Sequence, residues 1–357
     1  MCRLEERNRK IIEAVVTKAE RDCPGAIALI GVCGSFANGD FYEKSDLDLL
    51  ILTNDDAGQA VSTLFIQDDL GVAHDIYCTP WERLENEAKF EHPHLAKLLD
   101  SKVVWYADAA YLDRLENLRD TARTNLAAPL SREDFNRAKH CLLEAEHYYA
   151  KAMCTDTLKQ TRANAVGVIH YIQNALMLLN KRYYRFGVRR LYDELSALEK
   201  RPQGLCGLIE AVLAAETADV LKSALTSLLL ETESVFESAE KAFVPEKEPA
   251  SADNLRGTYE EIVSNWRNKM YLAAETGNRS LAFLTMGSLD AAMFREIAEN
   301  VDIAEYESLS GYDPNDLWKT AESFDRTIKN YLTEYKKAGL DVRRYANIDE
   351  FVEDYLK

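Results

Sequence analysis

Two aspartates and a glycine–serine pair are the residues of this sequence whose types and spacing could do chemistry together. Gly34-Ser35 follows the apolar run 26–32, and Asp46-Leu47-Asp48 begins eleven residues after Ser35, just before a second apolar run. Residues two apart on a strand point to the same face, so Asp46 and Asp48 would direct two carboxylates at one point. Such oxygen ligands suit Mg²⁺, which shares one or two protein carboxylates with substrate phosphates.

The Gly34-Ser35 pair would supply a phosphate site beside those carboxylates. Glycine lets the backbone come close to a ligand, and the free N–H groups of a turn that opens a helix bind phosphate. Ser35 adds a hydroxyl donor. A phosphate site next to two carboxylates indicates phosphoryl or nucleotidyl transfer assisted by two metal ions.

At these residues the chain resembles the DNA polymerase beta-type nucleotidyltransferase superfamily. The signature of that family is Gly-Ser, a short spacer and then Asp-x-Asp or Asp-x-Glu on a strand, which here reads Gly34-Ser35 and Asp46-Leu47-Asp48. Within the superfamily the chain is most similar to the small-molecule branch, the kanamycin- and lincosamide-type nucleotidyltransferases. The resemblance implies transfer of a nucleoside monophosphate from an NTP, with ATP expected, to a hydroxyl of a small acceptor such as an aminoglycoside.

The same resemblance implies a set of site residues. The family places a third carboxylate on the next core strand, where Asp75 matches, so Asp46, Asp48 and Asp75 are expected to hold two Mg²⁺ ions. His74 competes with Asp75, because it stands one residue earlier and faces the other way. The general base is either Asp75 or a glutamate of the helical domain, for which Glu144 and Glu146 are the candidates.

One basic cluster stands out in an acidic chain. It consists of five residues within ten positions: Lys181, Arg182, Arg185, Arg189 and Arg190. One interpretation is contact with the triphosphate or the departing pyrophosphate, with Lys181 and Arg182 as nucleotide-binding candidates. The other interpretation is a solvated turn between two helices.

Composition limits the classes of partner. The 357 residues carry a formal net charge of −17, whereas proteins that grip nucleic acid need a basic surface, so no nucleic-acid substrate is expected. One interpretation of this acidity is that a negative cleft attracts a cationic small acceptor. The other interpretation is that the acidic residues only solvate the surface. No apolar run is long enough to span a membrane, and the N-terminus lacks the apolar stretch of a signal peptide. Seven cysteines without a C-x-x-C pair fit a reducing compartment, and we expect a cytoplasmic protein.

The elements that must position these residues indicate an α+β fold. We expect a nucleotidyltransferase domain over 1–129, built on a mixed sheet with flanking helices and including a helix over about 54–69. A helical bundle on the substrate side follows over 130–245, beginning at the capping sequence Ser131-Arg-Glu-Asp. A Pro- and charge-rich linker then leads to a further helical region over 254–357, for which packing or homodimerisation is the expected role.

Two other classes of function stay open on the sequence. The first is a non-catalytic binding protein, such as an antitoxin-like chain with the nucleotidyltransferase fold. The second is an enzyme that transfers AMP to hydroxyl groups of proteins. The pair Asp46 and Asp48, together with Asp75, argues against the first class, and the sequence does not decide against the second.

Overall fold

The computed structural model describes residues 3–357. The chain divides into two compact units, one ending at residue 244 and the other covering 245–357. The architecture is α+β, as predicted: an N-terminal mixed sheet with flanking helices is followed by a helical bundle and a helical C-terminal region. None of the helices in the described part of the chain combines the length and apolar character needed to cross a membrane.

The sheet whose first strand leads into the glycine–serine pair has four strands. They are β1 (Ile27–Cys33), β2 (Asp48–Thr53), β5 (Cys78–Pro80) and β6 (Lys102–Tyr106), in the order β5-β2-β1-β6. Strand β1 pairs antiparallel with β2 and with β6, whereas β2 pairs parallel with β5. All seven residues of β1 are buried, which explains why its sequence is a continuous apolar run. The register sets Cys33 opposite Asp48, so the end of β1 meets the start of β2.

Helices cover both faces of this sheet. They are α1 (Arg3–Asp22), α2 (Gly34–Asn38), α3 (Trp81–Ala88), α4 (Ala96–Asp100) and α5 (Ala109–Ala127). On one face Ile27, Ile30 and Ile51 pack with Val15 of α1. On the other face the alternate strand residues pack with α3, α4 and α5. The two buried faces fix the sheet, and with it the strand ends that carry the site.

A hairpin replaces the helix expected over residues 54–69. Asp56–Val61 forms one short 3₁₀ segment, after which β3 (Thr63–Gln67) pairs antiparallel with β4 (Val72–Ile76). The Asp55 side chain does cap the turn by accepting a hydrogen bond from the Ala57 N–H. The sequence Thr-Leu-Phe-Ile-Gln of β3 is rich in β-branched and aromatic residues, which favour a strand over a helix. The prediction of a helix here is therefore wrong.

The second half of this unit is a helical bundle. Its helices are α6 (Arg132–Met153), α7 (Leu158–Leu179), α8 (Leu191–Ser196), α9 (Leu205–Leu213) and α10 (Ala218–Glu240). Ser131 and Asp134 form the capping box that starts α6, as the sequence predicted. Gly167 lets α7 approach α6, because a Cβ atom there would overlap the Tyr148 ring. The long helices bury a continuous aliphatic core.

The second unit is helical apart from two short paired segments, β7 (Glu248–Pro249) and β8 (Val301–Asp302). Its helices are α11 (Ala252–Leu255), α12 (Thr258–Ile262), α13 (Asn268–Thr276), α14 (Arg279–Leu289), α15 (Arg295–Asn300), α16 (Leu317–Lys337) and α17 (Ile348–Tyr355). Two π-helical turns, Val263–Arg267 and Asp290–Phe294, join α12 to α13 and α14 to α15. The unit has a core of its own around Phe324, Tyr331 and Tyr335.

Candidate active site

A cavity of about 570 Å³ in the first unit contains most of the motif residues found in the sequence. Gly34, Ser35, Asp46 and Asp48 line it on the side of the sheet, and residues 185–189 of the bundle line the opposite side. Ligand pockets of this size commonly lie at such junctions between substructures. The motif therefore faces a space that can hold a substrate.

Gly34 packs closely against the Asp48 side chain. It begins α2 in the left-handed conformation, with φ of +66°, and a Cβ atom at this position would overlap the Asp48 carboxylate. Only glycine satisfies both conditions without strain, because other residues rarely adopt positive φ and carry a side chain. The Asp48 carboxylate is consequently pressed against the backbone that would bind phosphate.

Asp46 and Asp48 both reach the cavity, although β2 begins only at Asp48. Asp46 is exposed and Asp48 half-buried, while Leu47 between them is buried in the core. Burial raises the pKa of Asp48, the charge of Asp46 raises it further, and Lys97 partly opposes this rise. Two carboxylates facing one solvent-filled space, one of them made costly to ionise by burial, form a donor set that fits a hard divalent cation.

The structure does not bring Asp75 to these two carboxylates. Along β4 the side chains alternate, so His74 is buried and Asp75 is exposed opposite Leu64 of β3. His74 packs its ring on Phe65 at 4.8 Å between centroids, and burial lowers its pKa while the Asp46 charge opposes that shift. Within residues 3–357 no three acidic, His or Cys side chains are grouped as a metal site. Asp75 therefore neither lines the cavity with Asp46 and Asp48 nor forms a three-ligand group with them in the described residues.

The two glutamates expected as general bases also lie outside the cavity. Both Glu144 and Glu146 are half-buried on α6, and neither lines the cavity. Glu146 lies close enough to Glu233 of α10 that its charge helps burial to raise the pKa of Glu233. This face of α6 is turned toward α10, so the structure does not bring Glu146 to Asp46 and Asp48.

Lys181 has a partner inside the bundle instead of facing the nucleotide site. Its Nζ lies 2.7 Å from the Asp134 Oδ2 and 5.2 Å from the Phe90 ring centroid, and its side chain is 11% exposed. Arg182 is exposed but does not line the cavity. The structure therefore brings neither of the two nucleotide-binding candidates to the motif, and Lys181 ties the loop after α7 to the start of α6.

Arg185 and Arg189, from the same basic cluster, do line the cavity. Glu194 accepts hydrogen bonds from the backbone N–H groups of Arg185 at 2.7 Å and Phe186 at 3.3 Å, which fixes the loop from the bundle side. From the sheet side, the Asn38 Nδ2 donates to the Arg185 carbonyl at 2.9 Å. Residues 185 and 186 are thus held both from the bundle side and from the sheet side.

Arg189 reaches across to the loop that separates the two sequence motifs. Its guanidinium lies 3.5 Å from the Asp40 carbonyl, 4.0 Å from the Asp40 carboxylate and 5.7 Å from the Tyr42 ring centroid. These are long, solvent-exposed contacts that an anionic ligand could replace. Asp40 and Tyr42 both line the cavity, and no sequence motif marked them, since they stand in the variable spacer between Ser35 and Asp46.

Arg7 supports the site from α1. Its Nη2 donates to the Ser45 carbonyl at 2.6 Å, one residue before Asp46. Burial lowers the pKa of Arg7, and the charges of Asp46 and Asp69 oppose this shift. Arg7 is half-buried on an amphipathic helix, and its contact 38 residues away carried no local signal in the sequence.

The comparisons with known proteins cover both halves of this unit. Residues 9–112 match the family model of the nucleotidyltransferase domain, and residues 122–240 match that of the KNTase C-terminal domain. A search of curated proteins finds no match. Among solved structures, a nucleotidyltransferase-like protein from Exiguobacterium sibiricum 255-15 is 9% identical, with 75% of this chain and 92% of that chain covered. The two structures superpose with a TM-score of 0.37.

The two matched domains follow each other in the order of a nucleotidyltransferase, and the first of them contains the cavity-lining motif. The bundle that borders the cavity falls within the second. Over residues 9–240 the chain therefore belongs to the kanamycin nucleotidyltransferase-like branch of the DNA polymerase beta-type nucleotidyltransferase superfamily.

Proposed function

We propose that this chain transfers a nucleoside monophosphate, with ATP as the expected donor, to a hydroxyl group of a small molecule. One observation carries the proposal: the Gly34-Ser35 turn and the two carboxylates Asp46 and Asp48 line a single cavity, bordered by an arginine-bearing loop of the bundle. Membership of a nucleotidyltransferase family supports the class of reaction.

The phosphate tail would lie between the Gly34-Ser35 turn and the bundle loop. Backbone N–H groups at the turn and the Ser35 hydroxyl donate to phosphate oxygens. Arg185 and Arg189 add positive charge from the opposite wall, where their side chains are 58% and 60% exposed. Because the contacts of Arg189 with Asp40 and with the Tyr42 ring are long, phosphate can replace Asp40 as the partner of the guanidinium.

Asp46 and Asp48 would hold Mg²⁺. Both residues line the cavity. Burial and the charge of Asp46 raise the pKa of Asp48, and a bound cation would lower it again by stabilising the ionised carboxylate. When bound, Mg²⁺ ions neutralise phosphate charge and lower the pKa of the attacking hydroxyl. Arg7 and the core packing of Leu47 keep the two carboxylates oriented for this role.

The transfer needs a group that accepts the hydroxyl proton. The acceptor oxygen forms a bond to the α-phosphorus, the bond from that phosphorus to the bridging oxygen breaks, and pyrophosphate leaves. Asp40 is the remaining carboxylate among the described residues that line the cavity, so we assign the proton to it. Asp75, Glu144 and Glu146 do not line the cavity.

The charged residues that line the cavity also limit the class of acceptor. Its described lining contains three acidic residues, Asp40, Asp46 and Asp48, and three basic residues, Lys44, Arg185 and Arg189. The bundle side is basic, whereas a polycationic acceptor would need carboxylates there. We therefore propose a small hydroxylated compound without requiring it to be cationic; the net charge of −17 disfavours nucleic acid.

The test is pyrophosphate release with Mg-ATP and a panel of acceptors: aminosugars, neutral sugars, lincosamides, short RNAs and purified proteins. We expect release with at least one small hydroxyl compound, and a loss of about 100-fold or more in Asp48→Asn, which removes a metal ligand. Asp75→Asn is the matched control and should retain activity. Turnover only with RNA or protein would overturn the acceptor class, and equal turnover in Asp48→Asn and the wild type would overturn the metal-site assignment.

A further inference from the structure

Three large apolar side chains line the cavity together with its charged residues. Tyr42 is 55% exposed and Val188 is 88% exposed, and both line the cavity together with Phe186. Single exposed apolar residues are ordinary on protein surfaces. These three instead border the same cavity as Asp46 and Asp48, so the described lining offers apolar surface as well as charge to one ligand.

The backbone holds these side chains in place. The Tyr42 N–H donates to the Ser45 Oγ at 3.0 Å, and the Ser45 N–H donates to the Tyr42 carbonyl at 2.9 Å. The Phe186 N–H donates to Glu194, and the Arg190 N–H closes a turn on the Gly187 carbonyl at 2.9 Å. The exposure of Tyr42 and Val188 therefore belongs to fixed turns, which lowers the entropic cost of binding a rigid ligand.

We infer that the rim formed by Tyr42, Phe186 and Val188 binds the base of the nucleoside triphosphate. This rests on the proposed function, because it takes the phosphate tail to lie at Gly34-Ser35. A triphosphate bound there leaves the ribose and base to occupy the rest of the cavity, where Tyr42, Phe186 and Val188 are the large apolar side chains of the described lining. A heterocyclic base is flat and weakly polar on its faces, and aromatic rings and arginine planes are the groups on which proteins stack bases.

The rim further indicates how the base is selected. Among the described residues that line the cavity there is no Asn or Gln, the side-chain amides that read base edges with two hydrogen bonds. Stacking tolerates every base because each has a π-face. The rim thus selects for a nucleotide over free phosphate, with a preference for the larger purines and only small differences between ATP and GTP.

The test compares Mg-ATP with magnesium tripolyphosphate, which carries the phosphate tail without a base. Calorimetry would measure both affinities for the wild type, Tyr42→Ala and Tyr42→Phe. Removing one stacking partner should weaken Mg-ATP binding by about 5- to 150-fold. Tripolyphosphate binding should weaken by less than about fivefold, because the truncation removes only the exposed contact between Arg189 and the Tyr42 ring, whereas the bonds to Ser45 come from the Tyr42 backbone and survive. Tyr42→Phe keeps the ring and should bind Mg-ATP like the wild type.

Each other outcome overturns the inference. Equal weakening of Mg-ATP and tripolyphosphate would mean that Tyr42 acts on the phosphate end. Unchanged Mg-ATP affinity in both Tyr42→Ala and Val188→Ser would mean that the base binds outside the rim. A higher KM for the acceptor, with Mg-ATP affinity unchanged, would mean that the rim binds the acceptor. Each of these results is compatible with nucleotidyl transfer by the wild type. If the wild type binds neither Mg-ATP nor tripolyphosphate, the proposed function fails with the inference.

Discussion

Replacing Gly34 by alanine should damage stability and nucleotide binding together, for two separable reasons. The residue has φ of +66°, and an L-residue in the left-handed region costs about 1–2 kcal/mol. A Cβ atom would in addition overlap the Asp48 carboxylate, and forcing extra volume into a packed site costs about a further 1–3 kcal/mol. We therefore expect a lower free energy of unfolding and a displaced Asp48.

Gly71 provides the matched control. It lines the same cavity with φ of +63°, but a Cβ atom there would meet nothing within 4 Å. Gly71→Ala should carry only the backbone cost, and its melting temperature should fall by about 2–4 °C for each kcal/mol. The additional fall in Gly34→Ala then measures the overlap with Asp48.

Differential scanning calorimetry and Mg-ATP titration would check both parts. Asp48→Ala removes the carboxylate but leaves its Cβ atom 3.0 Å from the added methyl group, so it should recover part of the extra loss in stability in a double-mutant cycle. Equal losses of stability and of Mg-ATP affinity in Gly34→Ala and Gly71→Ala would refute the reasoning, because the close approach of Asp48 to the turn would then have no consequence.

Three further results are expected. Lys181→Met should lower the free energy of unfolding by about 1.5–3 kcal/mol in urea titrations, because it breaks a buried charged hydrogen bond to Asp134. The affinity for Mg-ATP should not change. Weaker Mg-ATP binding at unchanged stability would contradict this prediction. Arg189→Met should weaken Mg-ATP binding while the free energy of unfolding stays within about 0.5 kcal/mol of the wild type. A loss of stability without weaker Mg-ATP binding would count against the assignment of Arg189 to the phosphate site. Glu87 is 3% exposed, and burial raises its pKa above 4.5, so ionisation of this carboxyl group opposes folding. The protonated Glu87 side chain contributes fully to the free energy of unfolding below pH 4.5, and this contribution is lost as the pH rises through the raised pKa. Glu87→Gln should therefore gain stability over the wild type as the pH rises from 4 to 8 in thermal melts, and a gain that shrinks with rising pH would refute the sign.

The sequence by itself determined the strands β1 and β2, the start of α6 and the motif that faces the cavity, although it misplaced a helix over 54–69. Apolar runs with local stop signals identified β1 and β2, and the capping box at Ser131 marked the start of α6. Gly34, Ser35, Asp46 and Asp48 were found because their chemistry depends on spacing along one chain segment. Local hydrogen bonding and side-chain alternation are written in neighbouring residues, so they can be read without a fold.

Only the tertiary structure decided which distant groups meet that motif. The side of β4 that turns inward depends on how the hairpin packs, and this put His74 inside and Asp75 outside. The path of one loop decides which basic residues of the cluster 181–190 face the cavity. Lys181 forms an ion pair with Asp134, whereas Arg185 and Arg189 line the cavity. Contacts such as Arg7 with Ser45 and Arg189 with Asp40 join residues far apart in sequence, and their energy depends on distance and burial, which no local pattern encodes.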